Sequence, residues 1–385
     1  MLLYNNYMKK RHNPFQIREL PVDGPFCNRT KELAGLISYA NSGAAVVVYS
    51  PRRYGKTSLI RRVQAELAKQ GTLTVFCDFF GVTTADDIAH RLARSVFELT
   101  RSREPLFKKA MRLFSGFRPV LKPDESGTFS LTVETVGRKV DPLERLEETL
   151  RALEEFTAGN EPRVNVALDE FQEITEVADS FKIEALLRQY VQKLRCSFFF
   201  IGSRRRLLLD MFNQRNRPFY QSAINMVLPP LPLDEFGLFL SGLFRDGGMA
   251  CSEADGVQLA TLTGGHPYYT QKLCFFLYEN EAEAITEPLM SQALEELLAN
   301  ETPVFEAMIQ GLASRQIALA RALAVEETGS VFAVDYMARH DLGSSGGIQG
   351  ALKKLTRLDM IEKQPNGQWK VADPIFKRWL IKQAG

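Results

Sequence analysis

The sequence predicts an α/β chain: a doubly wound parallel sheet, then a helical region, then a small domain of short helices closed by a hairpin. Three observations predict it. Short apolar runs such as "AAVVVY" (Ala44 to Tyr49) and "VNVAL" (from Val164) are β-branched and non-alternating, as strands buried on both faces are. They alternate with amphipathic helical segments. Beyond "PPLPLDEF" the strand signals stop until "MIEKQPNGQWKV", where two short runs flank a Pro-Asn-Gly turn. These changes of pattern put domains at 1–230, 231–302 and 303–385.

In chain order, the run ending at Tyr49 is the first strand. The helix after it carries Leu59, Ile60, Val63 and Leu67 on one stripe and Arg61, Arg62, Gln64 and Lys69 on the other. "LTVFCDFF", Leu73 to Phe80, is a second strand, and a helical segment runs from Asp86 to about Gly116. In "GTFSLTVETV" the residues Phe129, Leu131 and Val133 alternate with polar ones, so a hairpin insertion on the sheet's edge is expected at about 115–140. At "DPLERLEETLRALEEF" Asp141 can cap a helix and Pro142 suits its first turn. "VNVAL", "SFFFIG" from Ser197 and "INMVL" from Ile224 complete the sheet. The C-terminal helices and hairpin suggest a winged helix.

Composition bounds the function. The 48 basic and 46 acidic residues leave a net charge of +2 over 385 residues, so no global field points to nucleic acid or membrane. The five cysteines include no C-x-x-C pair, so neither a disulfide framework nor a zinc site is suggested. "MLLYNNYMKKRHNPF" has no cleavage site of small residues and is not read as a signal peptide. No apolar run reaches bilayer length. A cytoplasmic protein with no membrane partner is expected.

The stretch "VVVYSPRRYGKTSLIRRV" carries the chemistry. A buried strand, a turn containing Gly55-Lys56-Thr57 and an amphipathic helix form a phosphate-binding loop. Ser50, Pro51, Arg52, Arg53, Tyr54, Gly55, Lys56, Thr57 and Ser58 are its candidate residues. Backbone N–H groups and the positive helix end cradle phosphate, Lys56 reaches the β and γ phosphates, and Thr57 ligates Mg²⁺. In "VNVALDEFQEI" the strand ends in Asp169-Glu170; Asp169 can hold Mg²⁺ beside Thr57, and Glu170 can polarise an attacking water. Both motifs on one sheet, with a strand between them, predict a P-loop NTPase.

"NPF" (Asn13 to Phe15), "FCNRTKEL" (Phe26 to Leu33), "DEFQEI", "FFFIGSRRRL", "TGGHPYY" and "VADPIFKRW" together make nearly the whole chain resemble the archaeal-type ATPases of the STAND group, within the AAA+-like P-loop NTPases. The resemblance implies ATP (or ADP) and Mg²⁺ as cofactors, ATP hydrolysis and a helical lid. It places Phe15, Phe26 and Arg29 near the adenine. It makes Arg204 a γ-phosphate sensor, catalytic together with Lys56 and Glu170, and brings Gly265, His266 and Pro267 to the nucleotide. Two positions depart from the family: Ser50 replaces the first loop glycine, and Asn28 stands for the glycine before Arg29. If the turn at Ser50 needs φ > 0, serine there costs about 1 kcal/mol, less than the phosphate contacts supply.

The expected function is an ATP-driven switch that closes the lid and passes this to a partner through the winged helix. Alternatives are a DNA-binding regulator or loader controlled by ATP, and a nucleotide-binding scaffold with little turnover. For DNA speaks the local charge: from Ala351 onward eight basic residues stand against three acidic ones, with Gln349, Lys353, Lys354 and Arg357 on one helix and a wing at Asn366-Gly367. A homo-oligomer or a protein partner is the other prospect, with Arg215 and Arg217 placed where a neighbouring subunit could be reached.

Overall fold

A computed structural model describes residues 12–123, 129–137, 139–158 and 162–383. The signal-peptide reading rests mainly on residues 1–11, outside that set. The chain folds as two compact units: one holds 21–24 and 29–229, the other 12–20, 25–28 and 230–383.

The first unit runs α1 (Thr30–Asn41), β1 (Ala45–Tyr49), α2 (Lys56–Lys69), β2 (Leu73–Asp78), α3 (Ala85–Thr100), α4 (Glu104–Leu113), β3 (Phe117–Pro123), β4 (Phe129–Thr135), α5 (Pro142–Phe156), β5 (Val164–Asp169), a 3-10 turn (Phe171–Glu176), α6 (Ser180–Lys193), β6 (Cys196–Gly202), α7 (Arg205–Asn213) and β7 (Ile224–Val227). Five strands form a parallel sheet in the order β2-β5-β6-β1-β7. Helices cover both faces, because successive strand residues point opposite ways. Val47, Val166 and Phe200 pack with α3, α5 and α6, while Val46 and Val48 are equally buried but lie outside that cluster.

A buried polar chain crosses the face under α2. Gln64 Nε2 donates to Val75 O (3.0 Å) and to Asn165 Oδ1 (2.9 Å), and Asn165 Nδ2 donates to Ser197 Oγ (2.9 Å). It ties α2 to β2, β5 and β6. The β3–β4 hairpin forms, but as its own two-stranded sheet rather than on the edge of the large one. It is held to α3 where Thr135 Oγ1 meets His90 Nε2 at 2.9 Å and Phe117 meets the His90 ring edge-on. The loop of the hairpin, 124–128, lies outside the described residues.

The second unit contains α8 (Leu233–Asp246), α9 (Glu253–Leu262), α10 (Pro267–Glu279), α11 (Glu287–Gln310), α12 (Ser314–Val325), α13 (Val334–Arg339), α14 (Ser345–Arg357), β8 (Ile361–Lys363), β9 (Trp369–Val371) and α15 (Pro374–Lys382). The expected break at 302/303 falls inside α11, which carries Pro303 in its interior. Tertiary contacts override the helix breaker: Glu301 pairs with Lys272 of α10, Trp379 Nε1 donates to Thr302 Oγ1 (3.1 Å), and Phe305 packs on Phe376 and Trp379. Residues 12–20 also fold here rather than with the sheet. No described helix is long and apolar enough to cross a membrane.

Gln64→Met removes the buried amide and leaves the Asn165 amide oxygen without its donor, while Val75 O keeps its place in the β2–β5 ladder. An orphaned buried acceptor costs about 1–3 kcal/mol. Urea unfolding followed by far-UV circular dichroism should show the transition of the sheet unit moving to lower denaturant by that much.

Candidate functional site

The loop between β1 and α2 is built as the sequence expects, but its strain lies elsewhere. Ser50 is fully buried and does not adopt positive φ; the left-handed positions are Arg53 (φ 64°) and Gly55 (φ 79°). The serine therefore costs no backbone strain, which corrects the expectation for Ser50. That cost, about 1 kcal/mol, falls on Arg53. Gly55 is the N-cap of α2 and no side chain caps that helix, so its first N–H groups face the loop's hollow.

Lys56 folds back across the loop, its Nζ donating to Ser50 O (3.0 Å) and Pro51 O (2.8 Å). It is 5% exposed. Burial lowers its pKa from 10.5 to about 8, against the opposing pull of Glu170 and Asp169, with Arg52 adding to the lowering. Pro51 is half-buried, Tyr54 and Ser58 are buried, and Arg52 and Arg53 are exposed.

β5 lies two places from β1, with β6 between, so its end faces the loop. Thr57 Oγ1 donates to Asp169 Oδ2 at 2.7 Å. Asp169 is nearly buried; burial raises its pKa, and the charges of Glu170 and Asp78 push the same way. Asp78 is its register partner on β2. A hydroxyl against a desolvated carboxylate crowded by like charge fits a hard divalent cation, and Thr57 and Asp169 would hold Mg²⁺. No three His, Cys, Asp or Glu side chains among the described residues group into a metal site. A hydroxyl and one carboxylate would leave an ion's remaining positions to water and phosphate oxygens.

Glu170 takes a left-handed conformation (φ 48°) that turns Phe171 inward, where it packs on Phe200 at 4.6 Å and Phe219 at 5.4 Å. Its Oε2 accepts from Ser203 Oγ at 2.9 Å and from Gln172 Nε2. Sequence reading passed over Ser203 and Gln172. The signal for Ser203 was its place at the end of β6, level with the end of β5.

Arg204 is placed differently from a residue aimed at the loop. Its Nη1 meets Glu176 Oε1 at 3.1 Å and its Nε lies 3.9 Å from Glu173 Oε1. The salt bridges draw it to the 3-10 turn. Arg217 turns to the buried Glu184, whose pKa burial raises to about 6 despite the guanidinium; Arg215 is exposed.

The base-side candidates divide. Phe15 is 2% exposed in the core of the second unit, against Phe244 with ring centres 4.4 Å apart. Packing covers its faces, so a core role replaces the expected adenine contact. Phe26 is half-buried in the same unit. Arg29 is buried in the first unit, where Nη2 donates to Pro229 O (2.6 Å) and Nη1 pairs with Glu32 (3.0 Å). Asn28 has φ 40°, a left-handed conformation that asparagine tolerates and glycine takes freely. Gly265, His266 and Pro267 start α10 in the second unit. There Gly265 O accepts from Leu231 N at 2.9 Å, and a Cβ on Gly265 would lie 2.4 Å from Leu231 O.

Residues 303–382 match the family described as a probable winged helix domain. No curated protein matches the sequence. The fold is similar to the Walker-type ATPase of Pyrococcus abyssi, with TM-score 0.69 and 20% identity, covering 95% of this chain and 99% of that one. It is also similar to the ORC2 protein of Aeropyrum pernix in its ADPNP and ADP complexes, with TM-score 0.60 and 16% identity, covering 98% and 99%. The ADP form of that protein gives a TM-score of 0.55 at 15% identity, covering 97% and 98%. The chain thus has the fold of a P-loop ATPase that ends in a winged helix.

A phosphate ligand favours the charged lysine, and free Lys56 loses its proton near pH 8. Affinity for a fluorescent ADP analogue should stay level below pH 8 and fall above it, by up to about tenfold per pH unit. Fluorescence titration from pH 6 to 9.5 checks this.

Proposed function

We propose that the chain is a Mg²⁺-dependent ATPase of the STAND/AAA+-like class, working as a nucleotide-controlled switch. The observation that carries this reading is the 2.7 Å contact of Thr57 with Asp169, which joins a phosphate loop to an acidic strand end 112 residues away. In this reading Lys56 leaves the Ser50 and Pro51 carbonyls for the β and γ phosphates, and its charge is worth more because the side chain is buried. Mg²⁺ at Thr57 and Asp169 would supply charge neutralisation at the same phosphates. Glu170, one oxygen held by Ser203 and Gln172, orients the attacking water with the other. Arg204 would exchange its surface acids for the γ-phosphate. Gly265 and Pro267, with Phe26 and Arg29, are proposed to serve the nucleotide in the closed state. Losing the γ-phosphate would remove the contacts that favour closure and release the partner.

Steady-state ATP hydrolysis with Mg²⁺ should be measurable for the wild type and fall to background in Glu170→Gln, while ADP affinity stays within about twofold. Turnover that survives in Glu170→Gln overturns the assignment.

A second reading, DNA binding by the winged helix, is favoured by which basic residues remain unpaired. Lys370, Lys377 and Lys382 are paired with Glu362, Glu327 and Glu295. Glu295 and Glu327 lie outside the counted segment, so its excess of five (8 − 3) falls to three (5 − 2). Lys353 and Arg357, exposed on α14 beside the exposed Gln349, and the half-buried Lys354 make no ion pair among the described residues. Lys363 lies over Trp369 at the wing, whose turn has Gly367 at φ 86°. The uncompensated charge thus gathers on the helix and wing that would meet a groove. If this reading holds, Lys353→Ala/Arg357→Ala should weaken duplex binding in a fluorescence anisotropy titration. It should also reduce the slope of log K against log salt by about 2.

A further inference from the structure

The buried amide of Gln172 touches the candidate base and has no other evident task. It lies in the 3-10 turn after β5, fully buried. Its Nε2 donates to Glu170 Oε2 and lies 3.4 Å from Glu173 Oε1. Both neighbours are carboxylates, which fixes the amide with nitrogen toward them and oxygen away. Its Oε1 is buried without a partner, a cost that folding alone gives no reason to bear.

The amide is also confined. Gly202 ends β6 against it: a Cβ there would sit 2.2 Å from Gln172 Oε1 and 2.9 Å from Leu208 Cδ2. Glycine at 202 leaves room for the amide between the end of β6 and Leu208 of α7. From the other side Ser203 Oγ reaches the same Glu170 oxygen at 2.9 Å. Two donors therefore meet on Oε2, and Oε1 accepts no hydrogen bond among the described residues.

Resting on the reading of Glu170 as the group that orients water, we propose that Gln172 is a positioning residue for hydrolysis. It acts with Ser203 to hold Oε2, fix the carboxylate's rotation and direct Oε1 at the attacking water. Gln172 does not touch the nucleotide or the metal; it acts through Glu170. Its neighbour Glu173 also faces Arg204, so the arginine lies one side chain away from the same clamp.

The test is steady-state ATP hydrolysis with Mg²⁺ by the full chain, using Gln172→Met, Glu170→Gln and the double variant. Met keeps the length and volume but cannot donate. kcat should fall by about ten- to a hundredfold, within the range a misplaced general base loses, while KM and the dissociation constant for the ADP analogue stay within about twofold. The double variant should be no slower than Glu170→Gln alone, because Gln172 has nothing left to orient. Gln172→Glu, which keeps the shape but sets a third carboxylate beside Glu170 and Glu173, is the second variant if Gln172→Met does not fold, and it should lose at least as much kcat. An unchanged kcat, a loss confined to KM, or losses that multiply in the double variant overturn the proposal while leaving Glu170 in its role. A fully active Glu170→Gln, or a wild type without turnover, overturns the underlying reading and this inference with it.

Discussion

Much of the candidate site depends on a hydrogen-bonded chain that no ligand touches, from Gln64 through Asn165 to Ser197, with a branch to the Val75 carbonyl. An amide buried in an apolar core costs free energy unless every bond is made, so this chain tolerates little sliding of α2 against the sheet. α2 begins at Lys56 and Thr57, two turns before Gln64. Fixing its position over β2, β5 and β6 sets where Lys56 starts and lets Thr57 meet Asp169 at 2.7 Å. A parallel sheet suits this, since its strand ends share one edge and groups from distant parts of the chain converge there.

Departures from a family pattern have to be weighed by backbone conformation. Ser50 looks costly as a letter and is not, because its φ is negative. Arg53 looks harmless and carries the positive φ. Asn28, where the resembled family has glycine, takes the left-handed backbone that a glycine takes freely. The loop thus retains its path with two arginines exposed on it, Arg52 and Arg53, near where phosphate would sit.

In the second unit the motif before α10 is joined to the winged helix. Tyr269 OH donates to Asp373 Oδ2 at 2.6 Å, Arg378 Nε donates to Leu262 O at 2.9 Å, and Pro374 Cβ lies 3.4 Å from where a Cβ on Gly264 would be. Asp373 also caps α15 through the N–H groups of Ile375 and Phe376. With Glu301 and Lys272 paired beneath, "TGGHPYY" and "VADPIFKRW" form one packed seam.

The sequence by itself determined the elements and the kind of site. Apolar runs of strand length, helical stripes, the Gly55-Lys56-Thr57 turn and the Asp169-Glu170 strand end are local patterns, and local patterns are written in neighbouring residues. The winged helix was legible for the same reason, from a Pro-Asn-Gly turn between two short strands. Tertiary structure alone decided the rest, because it depends on groups far apart in sequence. Phe15 reads as a ring beside a nucleotide until Phe244 covers it. Arg204 carries no sign in the sequence of Glu173 and Glu176, the acids that hold its guanidinium at the 3-10 turn. Pro303 reads as a helix breaker until Phe305, Phe376 and Trp379 hold α11 through it. Ser203 and Gln172 carry no motif of their own, and only the juxtaposition of the ends of β5 and β6 sets them on Glu170. Burial and pairing are sums over the whole fold, and no window of sequence contains those sums.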